Sequence, residues 1–113
     1  MIKEIANMNI DAELSRGNHA EEEGNIGMAR VCARRACGMS ISFWLQDNPR
    51  RGYGESAMNQ LRSVLSDDKI PKEIKDAAER LTIRVADLSD SKFTSKPIED
   101  ARIITSYFLN IKS

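Results

Sequence analysis

The stretch over residues 18–46 constrains the fold more than any other part of the chain, because its small and apolar residues recur with the period of an α-helix. At 100° per residue these side chains cover about half of the helix surface, more than a helix packed on one side requires. They are Ile26, Met28, Ala29, Cys32, Ala33, Ala36, Cys37, Met39, Phe43 and Trp44. We therefore predict one continuous helix over residues 19–46, covered by several neighbouring helices.

The start of this helix has two interpretations. Asn18 is a candidate N-cap, because Glu21 three positions later would return a hydrogen bond to the amide of the cap. Alternatively, Gly24 marks a break and the helix begins near Asn25. We prefer the continuous helix.

Spacings of three and four residues predict further helices on both sides of this stretch. The first covers residues 2–14 with Ile2, Ile5, Met8 and Ala12 inward and Ile10 and Leu14 as further candidates, and it is ended by residues 16–18. A short helix covers residues 54–65, the next begins at Pro71 and continues to Leu88, and the last begins at Pro97.

The composition agrees with an all-helical chain. Aromatic residues make up only 5% of the 113 residues, and β-branched residues do not alternate with polar ones over the length of a strand. A chain of this length buries roughly two-thirds of its unfolded surface, enough for one core. We predict an all-α, up-and-down bundle of about five helices that forms a single domain over residues 1–113.

The last helix has more apolar residues than one buried stripe needs. Ile98, Ala101, Ile104, Phe108 and Ile111 form its inward side, and Ile103, Tyr107 and Leu109 lie beside or outside that stripe. A second apolar face on a small bundle is typical of a subunit contact. We therefore expect a homodimer.

The charges of the chain balance, with 17 basic and 17 acidic residues, so the overall charge favours neither nucleic acid nor a membrane as partner. Locally they separate: residues 1–28 carry six acids, and residues 29–52 carry five arginines. No run of eighteen apolar residues and no signal peptide is recognisable. We expect a cytoplasmic protein without a membrane partner.

Few residues suggest catalysis or metal binding. Cys32 and Cys37 would point about 140° apart on a helix, so we expect reduced, buried thiols rather than a disulfide or a shared metal. His19 is the only histidine, and we expect it at the surface. No triad, metal-ligand cluster or phosphate-binding glycine loop can be assembled. We expect no catalytic residue, metal or cofactor.

Three arginines of the long helix are candidates for binding an anion. Arg30 and Arg34 are one helical turn apart, and Arg35 lies about 100° further round. Guanidinium groups at this spacing can hold a phosphate or a carboxylate through paired hydrogen bonds. The alternative is that Arg30 and Arg34 pair with acids of the first helix.

The order of these features resembles the HEPN superfamily of small helical bundles. The resemblance spans about residues 15–112 and rests on the segments GMARVCARRA (27–36), YGES (53–56), IPKEI (70–74), RVAD (84–87), EDAR (99–102) and YFL (107–109). It implies the same bundle fold.

The resemblance also bears on function. Toxin-like members of that family are metal-independent ribonucleases with an arginine followed, after four to six residues, by a histidine. Arg84 stands where the arginine is expected, but residues 89–91 are Ser89, Asp90 and Ser91, so the proton-transferring imidazole is missing. The resemblance therefore implies a non-catalytic module that binds nucleotide or RNA phosphates, with Arg84 joining Arg30, Arg34 and Arg35, or one that partners a nucleotidyltransferase. The alternatives are a divergent ribonuclease that uses Arg84 with Asp90, and a purely structural assembly subunit.

Overall fold

The computed structural model describes residues 2–49, 53–83 and 96–110, with only the backbone of Ile2. These ranges contain five α-helices and no strand: α1 (Ile2–Glu22), α2 (Ile26–Leu45), α3 (Ala57–Ser66), α4 (Lys72–Thr82) and α5 (Pro97–Asn110). The predicted all-α bundle is confirmed. None of the helices in these ranges is long and apolar enough to cross a membrane.

Helix α2 is the centre of the bundle, since it packs against all four other helices. Ala33, Ala36 and Cys37 on its inward side are completely buried. Trp44 near its C-terminal end is also buried, with its ring centroid 5.0 Å from that of Phe108 on α5. The predicted central element is therefore confirmed. Its apolar arc is narrower than expected, because Met28 and Met39 are exposed.

The prediction of one continuous helix over residues 19–46 is wrong, because the chain turns at Gly24. Gly24 adopts a positive φ of 79°, and the amides of Gly24 and Asn25 donate to the carbonyls of Glu21 and Ala20. These two bonds form a Schellman motif, which ends α1. Asn25 then caps α2 by accepting a hydrogen bond from the amide of Met28 at 3.1 Å.

The predicted break at residues 16–18 is also wrong, because α1 continues to Glu22. Gly17 lies buried inside α1, where an added Cβ would stand 2.9 Å from the Cβ of Cys32 and would overlap Ile98. Gly17 therefore allows α1 to approach α2 and α5 closely. Asn18, the predicted cap, donates instead to the carboxylate of Glu22 within the same helix.

The buried side of α1 differs from the predicted one. Ile10 and Leu14 belong to the core, whereas Ile5, Met8 and Ala12 are exposed. The reason is the close contact at Gly17, since Ile10, Leu14 and Gly17 share one face at spacings of four and three. Turning that face inward leaves the other apolar stripe outside.

The C-terminal half follows the predictions more closely. Ser56 caps α3 and Pro71 immediately precedes α4. Helix α4 ends at Thr82 with Ile83 extended, so the predicted continuation to Leu88 is wrong, and Val85 and Leu88 lie outside the described residues.

Helix α5 begins at Pro97 and buries its predicted stripe from Ile98 to Phe108. Tyr107 and Leu109 are partly buried and pack against the core, and Ile111 lies outside the described ranges. Of the apolar second face predicted on α5, Ile103 is therefore the residue that stays exposed.

Candidate functional site

The structure separates the arginines that the sequence grouped together. On α2, Arg30 is buried with 2% of its surface exposed, Arg34 is half-buried, and Arg35 is exposed. Arg84, the fourth candidate, lies outside the described residues. Only Arg30 and Arg34 therefore share one environment in the described part of the chain.

Arg30 and Arg34 both donate to the C-terminal end of α4. Arg30 donates to the carbonyl oxygens of Arg80 at 3.2 Å, Leu81 at 3.3 Å and Ile83. Nε of Arg34 donates to the Leu81 carbonyl at 2.7 Å. The carbonyls of Arg80 and Leu81 belong to the last turn of α4, and that of Ile83 follows directly after it. Carbonyls at this end of a helix lack intrahelical donors and carry the negative end of the helix dipole.

The two arginines therefore cap α4, an arrangement that neither sequence-based interpretation contained. We expected an anion ligand or acids of the first helix as their partners. Glu13 on α1 instead forms an ion pair with Arg16, with 2.6 Å between Oε1 of Glu13 and Nη1 of Arg16.

A third arginine joins this pair from α3. Burial lowers the pKa of Arg34, and the positive charge of Arg62 lowers it further. Burial also lowers the pKa of Arg30. The positive charge of Arg34 lowers this pKa further, and the negative charge of Asp100 raises it. We call Arg30, Arg34 and Arg62 the arginine cluster. Sequence reasoning missed Arg62, because only the packing of α3 against α2 brings it near.

A partly buried ion pair lies beside the cluster and links α4 to α5. Nε and Nη2 of Arg80 donate to Oδ1 of Asp100 at 3.0 and 2.8 Å, and this contact raises the pKa of Arg80. Asp76, one turn before Arg80 on α4, pairs instead with Lys72 at 3.0 Å. Oδ2 of Asp100 is buried without a hydrogen-bond partner among the described residues.

Replacing Asp100 with asparagine tests the contribution of this charge. We expect a loss of about 1 kcal/mol in the free energy of unfolding, because the amide oxygen keeps the geometry of the acceptor while the ionic attraction disappears. Arg80 is 34% exposed at its side chain, so solvent screens part of that attraction. Urea unfolding measures the loss. Asp76→Asn, in an exposed pair, is the control, and equal losses in both variants would contradict a special role for Asp100.

The two cysteines and the histidine lie where the sequence predicted, with buried thiols and a histidine at the surface. Cys32 and Cys37 are free and buried, and burial raises the pKa of both thiols, so neither is poised as a nucleophile. His19 is exposed, 3.8 Å from the carboxylate of Glu23. Among the described residues no group of three or more His, Cys, Asp or Glu side chains is arranged to hold a metal ion.

A groove is present on the opposite side of α2. It lies between the N-terminal half of α1 and the C-terminal half of α2 and has a volume of about 510 Å³. Its lining is mainly apolar and consists of Ile5, Ala6, Asn9, Ala12, Glu13, Arg16, Met39, Ser42, Phe43 and Gln46. Sequence reasoning missed the groove, because it predicted Ile5 and Ala12 to be inside the core.

Comparison with known proteins adds no relative. No protein-family model, no curated protein and no solved structure matches this chain. The resemblance to the HEPN superfamily stays a prediction from the order of its sequence segments.

Proposed function

We propose that this protein is a non-catalytic, HEPN-like helical binding module in which Arg34 and Arg62 of the arginine cluster hold a phosphate group of a nucleotide or of RNA. One observation carries the proposal: half-buried Arg34 is held through its Nε by the Leu81 carbonyl at 2.7 Å, and neither Arg34 nor the exposed Arg62 is ion-paired with a carboxylate among the described residues. The positive charge of Arg62 also lowers the pKa of Arg34. Two neighbouring positive charges of this kind favour an anionic ligand.

The geometry of Arg34 supports this role. The bond from Nε to the Leu81 carbonyl fixes the plane of the guanidinium group. Its two terminal nitrogens remain as the fork that binds phosphate oxygens in pairs. Arg30 is too buried to reach a ligand and acts by holding the end of α4 in place. Arg35 lies about 100° away on the helix and is not included in the proposed site.

Arg84 remains a fourth candidate. It follows Ile83 directly in the sequence, and the Ile83 carbonyl accepts a hydrogen bond from Arg30. A ribonuclease that uses Arg84 with Asp90 would depend on residues outside the described ranges, and so it stays the alternative. A nucleotidyltransferase-like partner is expected from the resemblance alone.

Titration of the protein into a labelled short RNA, and of labelled ATP into the protein, tests the proposal by fluorescence anisotropy. We expect Arg62→Ala to weaken binding at least tenfold, because a charged hydrogen bond to phosphate is lost. The slope of log affinity against log salt should fall by about 1. Arg102→Ala on α5 is the control, since this arginine is also exposed.

Arg62 is the better probe than Arg34, because removing Arg34 also removes a bond to α4. Arg34→Lys keeps the positive charge but loses the forked guanidinium group. We expect it to weaken binding while lowering the free energy of unfolding less than Arg34→Ala does. Equal affinities for Arg62→Ala and Arg102→Ala, or no saturable binding by the unmodified protein, would refute a phosphate site at the cluster.

A further inference from the structure

Glu13 is a buried acid that lines the groove between α1 and α2. Its side chain is only 5% exposed, although most of the groove lining is apolar. Both oxygens of its carboxylate accept from Nη1 of Arg16, at 2.6 and 3.0 Å. Among the described residues, no other group donates to this carboxylate. A carboxylate accepts about four hydrogen bonds, so Glu13 keeps capacity for a further donor in the groove.

The two members of this ion pair differ in their freedom to move. The side chain of Arg16 is 62% exposed, so water can replace its contact with Glu13 at little cost. The buried carboxylate has lost its own hydration and needs a positive partner where it stands. A cationic ligand can therefore take the place of Arg16, whereas an anion bound to Arg16 would lie against Glu13. Arg35 lies nearby but is exposed, so solvent screens its repulsion of a cation.

The rest of the groove is suited to the apolar body of a small molecule. Phe43 is 7% exposed at the groove, and Met39 and Ile5 on its two helices are 38% and 55% exposed. The groove volume of about 510 Å³ lies within the range of about 300–1,000 Å³ that is usual for small-molecule sites. The aromatic ring of Phe43 is also a favourable neighbour for an organic cation. A buried carboxylate beside such a lining is complementary to an amine with an apolar body.

We propose that the groove between α1 and α2 binds a small organic amine, whose ammonium group pairs with Glu13 while its apolar body lies over Phe43 and Met39. On binding, Arg16 releases the carboxylate and turns into solvent. The arginine cluster lies on the α4 side of α2, so the amine site is separate from the proposed phosphate site and does not depend on it.

Three ligands with the same eight-carbon chain and different head groups test the proposal: octylamine, octanol and octanoate. Octylamine is protonated at neutral pH, as a lysine side chain is. Methyl NMR of the methionines in the full chain locates the site, because Met39 lines the groove and Met28, at the N-terminal end of α2, does not. We expect saturable shifts at Met39 and none at Met28.

Octylamine should bind at least tenfold more tightly than octanol or octanoate, because its ammonium group alone pairs with the buried carboxylate. The shared chain makes the apolar contribution the same for all three ligands. Equal dissociation constants for the three, tighter binding of octanoate, or no saturable shift at Met39 would overturn the proposal.

Two substitutions should change octylamine binding in opposite directions. Glu13→Gln keeps the shape of the side chain but removes its charge, so we expect octylamine to bind no more tightly than octanol. Arg16→Gln removes the competing cation and leaves Glu13 without its partner, so we expect octylamine to bind several-fold more tightly. Asp11→Asn is the matched control, since Asp11 is exposed on α1 and is not part of the groove lining.

Circular dichroism checks that the variants are folded, and the three ligands on the unmodified protein test the proposal without any substitution. Weaker octylamine binding by Arg16→Gln than by the unmodified protein would overturn the exchange of Arg16 for the ligand. Equal affinities of Glu13→Gln and Asp11→Asn for octylamine would overturn the role of the buried carboxylate.

Discussion

Arg30→Ala is expected to lower the free energy of unfolding by about 3 kcal/mol, because it removes a buried cap from the end of α4. The guanidinium group donates to the carbonyls of Arg80, Leu81 and Ile83. Hydrogen bonds from charged groups contribute about 1.5–3 kcal/mol each, and bonds from one group are not additive. Alanine would leave three acceptors at the end of α4 without this donor and a cavity between α2 and α4. Equilibrium unfolding in urea measures the loss.

Two neighbouring substitutions separate capping from general effects of charge. Arg35→Ala removes an exposed arginine from the same helix, and we expect a change below about 0.5 kcal/mol. Arg30→Lys keeps the positive charge, but one ammonium group cannot reproduce the fork that spans several carbonyls, so an intermediate loss is expected. If Arg30→Ala and Arg35→Ala had similar effects, the capping role of Arg30 would be wrong.

The capping role could not have been predicted from the sequence, although the burial of this part of α2 could. Apolar periodicity placed Ala33 and Trp44 inside, and both are buried. Every helix ends in carbonyls without intrahelical donors. The C-terminal end of any helix in the chain could therefore have accepted hydrogen bonds from these arginines. Only the packing of α4 against α2 selects the one that Arg30 reaches. The proximity of Arg62 depends on tertiary packing in the same way.

Helix α1 shows a second limit of prediction from sequence, because a glycine can either end a helix or allow close packing inside one. Gly24 ends a helix through a positive φ, whereas Gly17 lies inside one and allows close contact. The sequence around them does not distinguish these roles, and we assigned the break to residues 16–18. The spacing of Ile5, Met8 and Ala12 also indicated the wrong inward stripe. Ile10 and Leu14, which were only further candidates, are the buried residues.

Gly17→Ala is expected to destabilise the protein by about 2 kcal/mol, although alanine is the better helix former. Alanine improves helix propensity by up to about 1 kcal/mol relative to glycine. Here the new Cβ would stand 2.9 Å from the Cβ of Cys32, which is attached to the backbone of α2 and cannot turn away, and it would also overlap the end of Ile98. Overpacking of this kind costs about 1–3 kcal/mol or more and outweighs the gain.

Gly27→Ala is the matched control, because the same substitution in α2 meets open space. The nearest atom to its added Cβ is the side-chain oxygen of Asn25 at 3.9 Å, an ordinary contact. We therefore expect stabilisation by up to about 1 kcal/mol from helix propensity alone. Urea unfolding of the two variants should give changes of opposite sign. Stabilisation by both would mean that α1 is not held against α2 at Gly17, and the exposed stripe of α1 would then lose its structural explanation.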